Sequence, residues 1–205
     1  MKFELYVKSG AVDEVVATRQ APVVVYPGLT IEDPDSATLS SATVSITGSF
    51  VQSEDALGFV SSANYGNITG SYDATAGVLT FTSAQAQATV AQWQAALRSI
   101  TYTNSSGAPN TASRTVSFVI NDGEASGPSA NVIIKIALKI TFDAKGGSVV
   151  ADGASTLGGS VASPSSPTRS GYTFAGWALP ITSAVTDPGS LSGLYSRFKA
   201  ADYNG

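Results

Sequence analysis

The feature that most constrains this chain is its division into short apolar runs separated by turn-forming residues. The runs are rich in Val, Ile, Thr, Tyr and Phe, and the gaps hold Gly, Asn, Asp, Ser and Pro. β-branched and aromatic side chains suit the pleated surface of a sheet, whereas the gap residues favour tight turns. Within residues 42–50, Val44 and Ile46 alternate with Thr43 and Ser45, the period of a strand with one buried face. The pattern predicts a β-rich chain with strands at sandwich-like spacing.

The runs predict the individual strands. Ser9 and Gly10 separate the first two runs and indicate a hairpin between them, and residues 74–77 predict another tight turn. The predicted strands cover residues 2–8, 12–18, 23–26, 42–50, 57–61, 67–73, 77–82, 100–103, 115–121 and 130–138.

One segment departs from the β pattern. Thr89 stands three residues before Gln92, which is the spacing of a capping box at a helix N-terminus. Trp93 and Leu97 then follow at helical spacing. We therefore predict a short helix over residues 89–98, packed on the sandwich by one apolar stripe.

Composition excludes several classes of function. The formal net charge is −4 and the 11 Lys and Arg residues are scattered, which argues against nucleic-acid binding. The chain has no Cys and no His, so disulfides, the usual zinc sites and His-based catalysis are excluded. The longest apolar stretch, residues 132–140, is interrupted by Lys135 and Lys139 and is too short for membrane insertion.

Residues 21–138 resemble the cadherin-like repeats of bacterial surface adhesins. The resemblance lies in the order and spacing of several short motifs. They are residues 27–35 (PGLTIEDPD), 41–47 (SATVSIT), 54–57 (EDAL), 66–70 (GNITG), 77–80 (GVLT), 97–104 (LRSITYTN) and 114–123 (RTVSFVINDG).

Residues 139–200 are similar to an internalin B-type repeat, a small β-grasp-like module of bacterial surface proteins. Residues 140–147 (ITFDAKGG), 167–177 (PTRSGYTFAGW) and 194–198 (LYSRF) carry this similarity. The domain prediction is therefore an N-terminal strand or linker over 1–20, a cadherin-like β-sandwich over 21–138 and the repeat over 139–205. The predicted fold class is all-β, a sandwich with one short helix followed by a β-grasp-like domain.

Acidic residues in three loops raise the possibility of a structural calcium ion. Cadherin-like domains gather calcium ligands from loops at one end, so the resemblance implies Asp33, Asp35, Asp55 and Asp122 as candidate ligands. Local Asx-turns explain the same residues without any metal. Both alternatives remain open, and no other cofactor is expected.

The aromatic motif Tyr172, Phe174 and Trp177 also has two interpretations. Flat rings stack on sugars, but alternation places Tyr172 and Phe174 on one face, as burial in a small core requires. We expect core packing. We predict no catalytic residues, since Glu54 and Asp55 are adjacent on a predicted strand and should point to opposite faces.

The resemblances imply a secreted, cell-surface protein that is not an enzyme. Its expected function is that of a structural or adhesive module, acting as a spacer or weak binder. Its expected partners are neighbouring domains, copies of itself, or a surface protein or glycan. The alternative is a self-assembling subunit of an extracellular filament, sheath or surface layer, in which the amphipathic residues 2–8 complete a neighbour's sheet.

Overall fold

In the computed structural model, β-strands are the main regular structure, and the chain divides into two compact units. The described residues are 6–7, 13–18, 20–34, 36–156, 160–178 and 191–200. The first unit combines Met1–Ser106 with Ala112–Ile136, and the second combines Gly107–Thr111 with Ala137–Gly205.

Fourteen strands and one α-helix account for the regular structure of the described residues. The helix α1 is Val90–Arg98, and short 3₁₀ turns cover Ala63–Tyr65 and Ala84–Ala86. The strands are β1 (Tyr6–Val7), β2 (Asp13–Ala17), β3 (Val23–Val24), β4 (Ile31–Glu32), β5 (Ser41–Gly48), β6 (Asp55–Gly58), β7 (Ile68–Asp73), β8 (Val78–Ser83), β9 (Thr101–Asn104), β10 (Arg114–Asn121), β11 (Ala130–Asp143), β12 (Gly153–Thr156), β13 (Tyr172–Ala178) and β14 (Leu191–Ala200).

The first unit is a sandwich of two main sheets, beside which β1 and β4 form a separate two-stranded sheet. One sheet has the order β2-β11-β10-β5-β8-β7, and the other places β9 between β3 and β6. Buried side chains from both sheets belong to one apolar cluster, in which the ring of Tyr26 meets that of Phe118 edge-on at 5.9 Å. Burial alternates along β5, with Ala42, Val44 and Ile46 inside, as the sequence predicts. The all-β fold class is thus confirmed.

Helix α1 closes one part of this core as predicted. The Thr89 side chain accepts from the backbone N–H of Gln92, whose side chain accepts from the backbone N–H of Thr89. Trp93 and Leu97 are fully buried. The indole of Trp93 donates to the carbonyl of Leu39 at 3.0 Å, so the helix is held by a buried polar contact as well as by its apolar stripe.

The second unit is a mixed sheet of order β12-β11-β14-β13, with β11 and β14 parallel. Only the Ala137–Asp143 part of β11 pairs within it. Among its described residues, Ile140, Phe142 and Val150 form a buried apolar cluster, with Trp177 packed against them.

The two strands predicted on either side of Ser9 and Gly10 do not pair with each other over their described residues. Tyr6 and Val7 pair with β4, whereas β2 runs parallel to β11. Local sequence predicted the strand at β2, but its partner lies more than a hundred residues away and is selected by packing. The rest of the two runs, including Ser9 and Gly10 themselves, lies outside the described residues.

Across the described residues, no helix has the length and apolar character needed to cross a bilayer.

Candidate functional site: a buried charge cluster

A salt bridge lies in the interior of the sandwich. Arg114 begins β10 and Asp55 begins β6, and both side chains are completely excluded from solvent. The Arg114 Nε atom donates to Asp55 Oδ2 at 2.8 Å, and its Nη2 atom donates to Asp55 Oδ1 at 3.2 Å. Two parallel bonds of this kind are the strong, directional form of an arginine–carboxylate contact.

Neutral donors complete the environment of the Asp55 carboxylate. The Tyr102 hydroxyl donates to Oδ1 at 2.6 Å, and Asn104 Nδ2 donates to the same atom at 2.9 Å. The backbone N–H of Val51 donates to Oδ2 at 2.8 Å. With five donors around it, the carboxylate carries the hydrogen bonds that a buried charge requires.

Glu54 contacts the same arginine from the edge of the cluster. Arg114 Nη2 and Asn104 Nδ2 both donate to Glu54 Oε2, at 3.3 and 3.2 Å. The expectation that Glu54 and Asp55 point apart is therefore wrong. β6 starts at Asp55, so Glu54 still belongs to the preceding turn, where strand alternation does not apply.

The cluster perturbs the ionisation of Tyr102. Burial raises the pKa of its phenol well above the ordinary value, and the hydrogen bond to the Asp55 carboxylate raises it further. Both effects disfavour the phenolate, since an anion would lose its hydration and face a second negative charge. Tyr102 thus remains a neutral donor to Asp55 throughout the physiological range.

This arrangement suits a structural role. The bonds join β6, β9 and β10, and so tie the two sheets together through charged groups. A carboxylate that is enclosed and bonded on both oxygens has no access to a substrate. Sequence reasoning missed the pair because Asp55 and Arg114 are 59 residues apart, and no local pattern marks an arginine as buried.

The structure separates the predicted calcium ligands by environment. Asp55 is the partner of Arg114, and Asp122 Oδ1 accepts from the backbone N–H groups of Glu124 and Ala125. Those two bonds lower the pKa of Asp122 below its ordinary value. Asp33 Oδ1 accepts from the backbone N–H of Ser36, an Asx-type contact.

The calcium prediction itself stays untested. Asp35 lies outside the described residues. Within the described part of the chain, no three acidic side chains come together in a group able to hold a metal ion.

The aromatic motif is split between core and surface. The Trp177 ring lies 5.1 Å from that of Phe142 and 5.4 Å from that of Phe174, centroid to centroid. Tyr172 is 43% exposed and lies under the guanidinium of Arg169, so its predicted burial is wrong. Tyr172 is the first residue of β13 and contacts Arg169, whereas Phe174, two positions further on, contacts Trp177.

Comparison with known proteins bears on the second unit. Residues 139–187 match the Listeria-Bacteroides repeat domain. That match covers the first part of the predicted repeat, which extends to residue 205, and supports a repeat domain of bacterial surface proteins in this part of the chain. It does not extend to residues 1–138, and no curated protein matches the chain.

Several cohesins are among the solved structures that are similar to this chain. The sixth cohesin of Acetivibrio cellulolyticus scaffoldin B, crystallised with a Cel5 dockerin mutant, shares 14% identity over 66% of this chain and 99% of its own, with a TM-score of 0.36. The seventh ScaB type I cohesin of Pseudobacteroides cellulosolvens shares 10% over 65% of this chain and 91% of its own, with a TM-score of 0.35. Similarity at this level supports no inference about binding.

Proposed function

We propose that this chain is a spacer and weak adhesive module of an extracellular bacterial surface protein, without enzymatic activity. The observation that carries the proposal is the match of residues 139–187 to a repeat domain of bacterial surface proteins.

The internal use of its polar groups supports a structural role. The charge cluster at Asp55 and Arg114 lies inside the sandwich, where it joins strands and does not face a ligand. Trp177, the largest residue of the aromatic motif, packs on Phe142 within the second unit. Asp55, Arg114 and Trp177 are therefore already engaged in intramolecular contacts.

The exposed surface supports weak, polar interactions with neighbours. On β7, three consecutive residues, Thr69, Gly70 and Ser71, are exposed. A surface of this kind keeps a sheet soluble and leaves hydroxyl groups for hydrogen bonds to adjacent domains, copies of the chain, a surface protein or a glycan.

Immunolabelling of intact cells tests the proposal. An antibody raised against the purified chain should label cells of the source bacterium without permeabilisation, and brief external protease treatment should remove the signal. An antibody against a cytosolic protein is the control for cell integrity. Labelling that appears only after permeabilisation would contradict an extracellular function.

The alternative, a self-assembling subunit, rests on the edge of the larger sheet. Among the described residues, β7 pairs only with β8, so one of its sides is available to another strand. Size-exclusion chromatography with light scattering distinguishes the two functions. A mass that stays monomeric up to millimolar concentration contradicts the subunit hypothesis, and concentration-dependent growth that is lost in Ser71→Pro supports it.

A further inference from the structure

The first unit has its entering and leaving strands side by side. β2 pairs with β11 in parallel over five registered positions, from Asp13 opposite Val132 to Ala17 opposite Ile136. β2 lies near the beginning of the unit, and Ile136 is the last residue of the unit before the chain passes into the second one. The two strands through which tension along the chain would act are therefore bonded directly to each other.

The parallel direction determines how that pair would be loaded. Tension towards the N-terminus pulls β2 from its Asp13 end, whereas tension towards the C-terminus pulls β11 from its Ile136 end. These ends lie at opposite limits of the paired segment, so the strands are sheared along their length. In shear, the evenly spaced bonds of a parallel ladder bear the load together instead of opening one after another.

The surroundings hold β11 more firmly than β2. On its other side β11 pairs with β10 over five positions, and its inward residues Val132, Ile134 and Ile136 are buried. β2 has β11 as its only strand partner among the described residues. Of the two ladders that β11 forms within this unit, the β2–β11 ladder is therefore the one that must break when the unit is stretched from both ends.

Side chains reinforce this contact on both faces of the sheet. On the outer face, Lys135 Nζ lies 2.7 Å from Glu14 Oε2, with both side chains about half exposed. On the inner face, Ala17 is buried and Val15 packs against the apolar core. The ion pair links neighbouring positions across the ladder and opposes sliding of one strand past the other.

We propose that the pair β2–β11 is a mechanical clamp that makes the first unit resist tension applied along the chain. The inference goes beyond the proposed function, because it depends only on the direction and register of two strands. It applies equally to a spacer and to a filament subunit. The β1–β4 pair precedes the clamp and has two registered positions over the described residues, so we expect it to yield earlier.

Single-molecule pulling with two attachment points tests the clamp without altering the strands. The chain has no native Cys, so an added thiol defines the point of attachment. One protein carries a cysteine at its N-terminus and the other carries Thr18→Cys, an exposed position directly after β2. Both are held at the same C-terminal cysteine, and release of the first unit is recognised by a gain in contour length of about 40 nm.

The two attachments load the same pair differently. From the N-terminus the five pairs are sheared together, whereas force at residue 18 enters β2 beside Ile136 and opens the pairs in sequence. We expect a several-fold higher rupture force for the N-terminal attachment at the same pulling speed. Equal rupture forces would overturn the clamp while leaving the surface location of the protein untouched.

A matched pair of proline variants provides the second test. Val15→Pro disrupts the ladder of β2, and Ser71→Pro disrupts another edge strand, β7, that lies outside the load path. Val15→Pro should lower the N-terminal rupture force markedly, and Ser71→Pro should leave it near the wild-type value. Equal decreases in rupture force for Val15→Pro and Ser71→Pro would contradict the clamp. If Val15→Pro does not fold, the attachment experiment alone decides.

Discussion

Arg114 and Asp55 form a bidentate ion pair in which neither side chain is reached by solvent. Their strands belong to different sheets, β10 to the larger and β6 to the smaller, so the pair spans the sandwich. A buried ion pair gains little net stability when intact, because desolvation of both charges offsets their attraction. Its consequence is specificity: an alternative packing would leave a charge unpaired in the core.

Removing one partner of this ion pair should therefore lower the free energy of unfolding more than removing both partners. Arg114→Met leaves the Asp55 carboxylate buried without its counter-ion and should lower the free energy of unfolding by about 3–5 kcal/mol. The double variant Arg114→Met/Asp55→Asn should lose less stability than Arg114→Met, since Asp55→Asn leaves no uncompensated charge at this position. Urea denaturation followed by tryptophan fluorescence measures both.

Lys135→Met is the matched control for that series. It removes a half-exposed ion pair from the same unit and should cost less than about 1 kcal/mol. A loss in Arg114→Met as small as that in Lys135→Met would contradict the structural role of the cluster.

The phenol of Tyr102 makes stability depend on alkaline pH. Its pKa is raised in the folded protein by burial and by Asp55, whereas in the unfolded chain it titrates near its ordinary value of 10.0. Above that value the unfolded state releases a proton that the folded state retains, so stability falls as the pH rises further. Below the ordinary pKa, Tyr102 is protonated in both the folded and the unfolded protein, and its contribution to stability is fully present.

Tyr102→Phe should separate the two effects of this hydroxyl. Near pH 8 the variant should lose about 1–3 kcal/mol, because a donor to a buried carboxylate is removed. Between pH 8 and pH 11 its stability should fall less steeply than that of the wild type. The free energy of unfolding of both proteins is measured by urea denaturation over this pH range. If it depends on pH equally in the two proteins, Tyr102 is not the group responsible.

The capping box at Thr89 should contribute measurably to the free energy of unfolding. Thr89→Ala removes the acceptor for the Gln92 amide and should cost about 1 kcal/mol. Thr89→Ser keeps a hydroxyl in place, and its free energy of unfolding should lie within about a few tenths of a kcal/mol of the wild-type value. If the two substitutions give the same thermal midpoint, the cap does not contribute.

The turn before β8 requires glycine at position 77. Gly77 has φ +68°, and a Cβ added there would lie 2.8 Å from the ring of Phe50. Gly77→Ala should cost about 1–3 kcal/mol through backbone strain and this clash. Gly28→Ala is the matched control, since nothing lies within 4 Å of its added Cβ. Equal denaturation midpoints for the two variants would refute this requirement.

Calcium provides a direct test of the prediction from the acidic loops. Because Asp55 is bonded to Arg114 and Asp122 to backbone amides, we expect the melting temperature to be the same after chelation and after addition of millimolar calcium. A ligand that binds only the folded state raises that temperature with its concentration. A calcium-dependent rise would therefore re-establish a site at these loops.

Sequence by itself determined the local elements of this protein. Alternation predicted β5 with its inward Val44 and Ile46, and the spacing of Thr89 and Gln92 predicted the start of the helix. These features depend on neighbours within a few residues, so the residues themselves carry the information.

Only the tertiary structure decided which distant elements meet. The pairing of β2 with β11 replaced a hairpin that the local turn signal favoured, and the ion pair joins residues 59 apart. Tyr172 is exposed at the start of β13 despite its place in an alternating run, whereas Trp177 of the same strand packs on Phe142. Such contacts are selected by the packing of the whole core and the closure of long loops, and no short stretch of sequence encodes that balance.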